Sequence, residues 1–187
     1  MDFGKSGTEN DSPRLKVAAY INSTPSEGPY NRFALWVQGC SIGCPGCCNP
    51  EMQESRGGTW LSVSRLKQIV LETKGIEGVT FLGGEPFDQA PALGCLAAEV
   101  KGAGLGVITF SGYEYRTLRR RSEADMLIKN SDLIIAGPYI KDLKTVNRRF
   151  IGSDNQTMHF LSDRYRKCHE FNRPGQSVHF SAKDAGK

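Results

Sequence analysis

Six cysteines occur in this 187-residue chain, and "GCSIGCPGCCNPEMQ" (39–53) holds four of them. Cys40, Cys44 and Cys47 stand in C-x3-C-x2-C spacing, with Cys48 directly following. Thiols this crowded can serve as a disulfide staple, a zinc site or an iron–sulfur centre. A staple requires an oxidising compartment. The N-terminus, "MDFGKSGTENDSPR", has no apolar stretch of the kind a secretory signal carries. A cytoplasmic location is therefore expected, where thiols stay reduced and clustered cysteines mean metal or catalysis.

Zinc fits the spacing poorly. A closed zinc site takes four ligands, commonly from two C-x2-C knuckles well apart in sequence, and this chain has no second knuckle. Cys95 sits among apolar neighbours of a helical pattern, Cys168 stands in a polar stretch, and Cys48 is adjacent to Cys47, so the two side chains diverge in an extended segment. Three thiolates suit a cubane 4Fe–4S cluster better, because they leave one iron without a protein ligand and able to take a substrate or cofactor. Gly43, Pro45 and Gly46 suit a loop that wraps such a cluster closely and turns its amides toward sulfur.

The elements around the loop are legible from hydrophobic patterning. "LKVAAYIN" (15–22) and "FALWVQG" (33–39) read as strands, the second running straight into the cysteines. Ser62 or Ser64 can cap a helix over 63–74, with Leu66, Ile69, Val70 and Thr73 on one face. "GVTFLGG" (78–84), "LGVITF" (105–110) and "DLIIAG" (132–137) read as strands, and 89–102 as a helix burying Leu93, Leu96, Ala97 and Val100. Residues 113–120 are a further helical segment. This alternation predicts an α/β domain with a mainly parallel sheet. Ligands gather at the carboxyl ends of such strands. The cysteine loop, "GGEPF" (83–87) and "SGY" (111–113) all lie at such ends, which points to one shared site.

Composition excludes several classes. Hydrophobic residues make up 39% and charged residues 24%, an ordinary globular balance. No apolar run approaches the roughly 20 residues of a membrane span. The net charge of +4 resides partly in "RTLRRR" (116–121), read as a solvated helix face, and does not form the basic stripe of a nucleic-acid binder. No membrane and no nucleic-acid partner is expected. The expected organisation is a loose tail over 1–13, one domain over 14–162 and a polar extension over 163–187.

A C-x3-C-x2-C loop after an early strand, followed about forty residues on by strand–Gly-Gly-Glu-Pro, resembles the radical S-adenosylmethionine (SAM) superfamily. Within it the chain is most similar to activating enzymes of glycyl-radical proteins, especially those serving anaerobic ribonucleotide reductase. The matching stretches are "NRFALWVQGC", "CPGCCNPEMQ", "FLGGEPFDQ", "DLIIAGPYIKDL" and "RRFIGSDNQTMHFL". The resemblance implies an open partial (β/α) barrel with one 4Fe–4S cluster held by Cys40, Cys44 and Cys47. It implies SAM bound on the open iron and reductively cleaved to a 5′-deoxyadenosyl radical, which abstracts a hydrogen from its target. The backbone at Gly83 and Gly84 would approach the methionine part of SAM, Glu85 and Pro86 would shape that turn, and Ser111 and Gly112 could meet the ribose or the methionine. The implied partners are a glycyl-radical enzyme, here an anaerobic ribonucleotide reductase, and a flavodoxin- or ferredoxin-type reductant. One departure is Cys48, where activases often carry His.

Two other readings compete. The same cofactors could serve a small molecule or peptide, or the chain could be a non-catalytic zinc or electron-transfer module. A chain this short has few residues for a lid, which favours a protein substrate whose docking excludes water. His159, His169 and His179 are scattered and read as structural or solvated, and Phe33 and Trp36 read as core. "GPYIKDL" (137–143) and "RRFIGSDNQ" (148–156) read as either the far wall of the barrel or a partner surface, with Arg148 and Arg149 as candidate docking charges.

Overall fold

The computed structural model describes residues 12–172; most of the expected N-terminal tail, the end of the polar extension and His179 lie outside them. Seven strands form one sheet in the order β3-β1-β2-β4-β5-β6-β7. They are β1 (Arg14–Thr24), β2 (Arg32–Val37), β3 (Thr59–Ser62), β4 (Gly78–Gly83), β5 (Gly106–Ser111), β6 (Leu133–Ala136) and β7 (Thr157–Phe160). The helices are α1 (Val63–Glu72), α2 (Ala90–Gly102), α3 (Tyr115–Leu118) and α4 (Asp125–Asn130). The fold is α/β and the sheet is open, with β3 and β7 at its edges.

The parallel character expected for the sheet holds at its centre. β2, β4, β5 and β6 pair in parallel, whereas β1 pairs antiparallel with both β2 and β3, and β7 pairs antiparallel with β6. Crossovers that carry helices join the parallel strands, whereas the antiparallel β1 and β2 are joined by the short connection 25–31. β2 is buried at every position, as expected of a central strand covered on both faces. The Ser62 hydroxyl caps α1 by accepting from Arg65 N at 3.1 Å, and Leu66 and Val70 enter the core beneath it.

One face of the sheet carries the main core. Phe33, Leu35, Val79, Phe81 and Val107 pack there against Leu66 and Val70 of α1, Leu93, Leu96 and Val100 of α2, and Leu127 of α4. The other face is covered only in part. Ala34 and Trp36 meet Met52 of the cysteine loop, and Ile108, Leu133 and Ile135 meet Ile151 and Tyr165. The helices thus lie on one side, and the second side is free to form a cavity.

At the amino ends of the parallel strands, Arg32 is fully buried and pairs with Glu77 at 2.5 Å. Its guanidinium also donates to Thr80 Oγ1, Val79 O and Tyr165 OH, each at 2.8 Å. Tyr165 OH donates to Glu77 at 2.6 Å. A buried charge is tolerated when it is this fully paired and hydrogen-bonded. The described part of the polar extension is therefore anchored, through Tyr165, at the amino ends of the parallel strands.

Candidate metal centre

β2 delivers the cysteine loop, and main-chain bonds close its neck: Gly39 N donates to Met52 O at 2.8 Å and Cys40 N to Gln53 O at 3.0 Å. Gly43 and Gly46 hold φ of 65° and 75°, the left-handed region that glycine enters without cost, and this lets the loop double back between the cysteines. Cys47 N donates to Cys44 O at 3.2 Å, and Asn49 N donates to Cys47 Sγ at 3.4 Å. The buried Gln38 fastens the loop's far limb, its side-chain amide donating to Glu51 O and Glu54 O at 2.9 and 2.8 Å.

Thiol electrostatics differ along the loop. The Cys47 thiol is lowered to about 6, chiefly by a hydrogen bond from Cys48 and further by Asn49 N–H and the Gln53 side chain, against burial. The same contact pushes the Cys48 thiol up. Burial raises Cys40, partly offset by the amides of Gly43 and Ile42. A low-lying thiolate with amide donors is what a metal-bound sulfur requires. Among the described residues no group of three His, Cys, Asp or Glu side chains is arranged around a point where a single ion would sit. A cubane spreads its thiolates over separate irons and needs no such convergence.

The turn after β4 is built around the loop. Gly83 has φ 105°, and a β-carbon there would come within 2.7 Å of Val37 N; a β-carbon on Gly84 would collide with the Gly39 carbonyl oxygen. Both glycines are thus required by the protein's own backbone, since Gly84 N also donates to Val37 O and Glu85 N to Gly39 O, each at 2.8 Å. Glu85 is buried and turns away from solvent to accept from Phe87 N at 2.9 Å, Ser111 Oγ at 2.9 Å and Gly112 N at 2.8 Å. Burial raises its carboxyl to about 7 against those three donors. Asp88, for which residue type and position carried no signal, accepts from Ser41 N at 2.8 Å.

These parts line one cavity of about 990 Å³. Its walls include Cys40, Cys44, Cys47 and Cys48, the segment from Gly83 to Pro86, and Ser111 and Gly112, so every site residue read from the sequence lies on the same space. Trp36, Leu82 and Phe110 give the lining its apolar part, and Tyr139, Lys144 and residues 148–152 also line it; Phe110 packs in one cluster with Phe150 and Ile151. Both polar stretches, 137–143 and 148–156, thus contribute residues to the cavity lining. Arg148 donates to Asp154 O and Gln156 O, both at 3.0 Å, and Arg149 pairs with Glu170 at 3.1 Å. Glu27, from the β1–β2 connection, also lines the cavity, and burial raises its carboxyl to about 7; its type and its place in a turn-rich loop carried no signal. His159 lies off the cavity, stacked on Tyr115 with ring centroids 4.0 Å apart. Among the described residues no helix is long and apolar enough to cross a membrane.

Residues 26–159 match the 4Fe-4S single cluster domain family. The chain is 29% identical over 137 residues to the anaerobic ribonucleoside-triphosphate reductase-activating protein of Enterobacteria phage T4, covering 70% of this chain and 85% of that protein. It is 26% identical over 143 residues to the protein of the same name from Escherichia coli (strain K12), covering 72% and 91%. A pyruvate formate-lyase-activating enzyme of Staphylococcus aureus (strain USA300) is 32% identical over 117 residues, covering 58% of this chain and 47% of the enzyme.

Proposed function

The chain belongs to the 4Fe-4S single cluster domain family, and on that premise we propose that it is a radical SAM activating enzyme that installs a glycyl radical on an anaerobic ribonucleotide reductase. Two relatives carry that activating role in their names, and a third is named as the activating enzyme of pyruvate formate-lyase. The observation that carries the reading is the convergence of the three-cysteine loop, the Gly-Gly-Glu-Pro turn and the Ser111–Gly112 turn on one cavity. Its volume, about 990 Å³, is at the upper end for ligand sites and suits a cluster together with a nucleoside-sized cofactor.

Cys40, Cys44 and Cys47 would hold the cluster, and the Gly83–Gly84 backbone with Ser111 and Gly112 would border SAM. When bound, the cluster supplies one electron for reductive cleavage of the sulfonium. The chain's own contribution is placement. Glu85 ties the β4 and β5 turns together, and Trp36, Leu82 and Phe110 present an apolar surface that keeps water from the reacting centre. The fold reads as an open partial (β/α) barrel, its helices on the outside and this cavity within. Residues 14–162 form its radical SAM domain, and the partner's glycine-bearing segment completes the enclosure. A flavodoxin- or ferredoxin-type protein in the reducing cytoplasm would supply the electron.

Anaerobic reconstitution with iron and sulfide tests the reading. A brown protein that converts SAM to methionine and 5′-deoxyadenosine, and yields a glycyl-radical signal on the coexpressed reductase, is the expected result. A colourless protein that takes up zinc alone would remove the activase in favour of a zinc module. Cleavage of SAM with no radical on the reductase would point to a smaller substrate.

A further inference from the structure

One carboxylate joins three of the loops at the carboxyl ends of the sheet. Asp88 lies in the turn between β4 and α2, and its Oδ2 accepts from Ser41 N at 2.8 Å. Its Oδ1 is 3.0 Å from Ser41 Oγ and 3.0 Å from Tyr113 OH, and the two hydroxyls are 2.7 Å apart. Ser41 directly follows Cys40, and Tyr113 follows β5. The Tyr113 ring is covered in turn by the Arg121 guanidinium, 4.6 Å from its centroid. The turn that carries Cys40 is thereby held by a carboxylate whose residue is not itself among those lining the cavity.

We propose that Asp88 is a positioning residue for the cysteine loop, holding the Cys40 turn through Ser41 and placing one negative charge beside it. The proposal rests on the cluster reading above. Two separable consequences follow. The hydrogen bonds restrict the motion that would expose the cluster, and each is on the scale of a normal charge-assisted contact. The charge disfavours adding an electron to a nearby cluster, because local charge is one of the determinants of its potential.

Asp88→Asn, Asp88→Ala and Tyr113→Phe should be reconstituted beside the wild type. Iron and sulfide content, the midpoint potential from an electron paramagnetic resonance titration, and the rate of cluster loss to an iron chelator are the readouts. Asp88→Asn keeps an acceptor for Ser41 but loses the charge, so its potential should rise while its chelation rate stays close to wild type. Asp88→Ala should show the same rise and lose its cluster roughly five- to tenfold faster, the scale of one lost hydrogen bond. Tyr113→Phe should leave the potential in place. Wild-type potentials in both Asp88 variants, or a rise in Tyr113→Phe equal to that in Asp88→Asn, would overturn the electrostatic half. An Asp88→Ala chelation rate equal to wild type would overturn the positioning half. A wild-type protein that takes up no iron and sulfide overturns the cluster reading itself, and this one with it, before any variant is compared.

Discussion

Gly84 lies with its α-carbon facing the carbonyl of Gly39, so closely that a side chain on Gly84 would strike that oxygen. The Gly-Gly turn therefore supports the neck of the cysteine loop as well as bordering the cavity. Gly84→Val should push Gly39 aside and carry Cys40 with it, because the obstruction is backbone and cannot rotate away. Cluster content after reconstitution should fall along with SAM affinity. A Gly84→Val protein with full iron and sulfide and only weakened SAM binding would show that the loop absorbs the clash.

Cys40→Ala, Cys44→Ala and Cys47→Ala should each lose most of the iron and sulfide. Cys48→Ala should retain a cluster, although Cys48 also borders the cavity. The Cys48 variant also removes the hydrogen bond that lowers the Cys47 thiol, so its cluster should form more slowly at neutral pH. Iron analysis over a time course of reconstitution checks both points. A Cys48→Ala protein without iron, beside a Cys47→Ala protein that keeps it, would reverse the ligand assignment.

Glu85 makes stability depend on pH. Burial raises its carboxyl from the ordinary 4.5 to about 7 in the folded chain. An acid that binds its proton more tightly when folded stabilises most fully below its unfolded value, and that stability is lost as pH rises through the folded value. Melting temperature should therefore decline between about pH 4.5 and about pH 7, the window set by that shift. Glu27 titrates over the same range, so Glu85→Gln should reduce the slope without abolishing it. An unchanged slope in Glu85→Gln would mean that Glu85 titrates normally.

Arg148 lines the cavity and bonds the carbonyls of Asp154 and Gln156. Arg148→Glu should release those carbonyls and loosen the wall. Uncoupled 5′-deoxyadenosine formation should then fall together with glycyl-radical yield on the partner. A pure docking charge would behave differently, slowing association with the partner while leaving uncoupled cleavage intact. Parallel assays of the two activities separate these outcomes.

The chemistry was largely legible from the chain alone. Three thiols at C-x3-C-x2-C spacing, glycines between them and a Gly-Gly-Glu-Pro turn are local patterns, and local patterns survive in one dimension. The central strands were legible for the same reason, since β2, β4, β5 and β6 are short apolar runs ended by turn residues. The edge strand β3 was not. Trp60 is 52% exposed, and with no buried face to alternate against, Thr59–Ser62 becomes a strand only because Arg14–Val17 offers it a ladder. β7 and the short α4 likewise depend on neighbours already in place.

Tertiary structure alone decided what each site residue does. From sequence, Gly83 and Gly84 read as room for a cofactor; in the fold their missing side chains first make room for Val37 and Gly39. Glu85 reads as part of a binding turn, yet its carboxylate is spent on Ser111, Gly112 and Phe87. Nothing in the local sequence marks Arg32 for burial, and it is buried because Glu77 and Tyr165, far along the chain, meet it. Residue type and spacing specify which atoms can donate, accept or bind metal. Which of those capacities is consumed within the protein depends on contacts between residues distant in sequence, and those form only when the sheet brings its strand ends together.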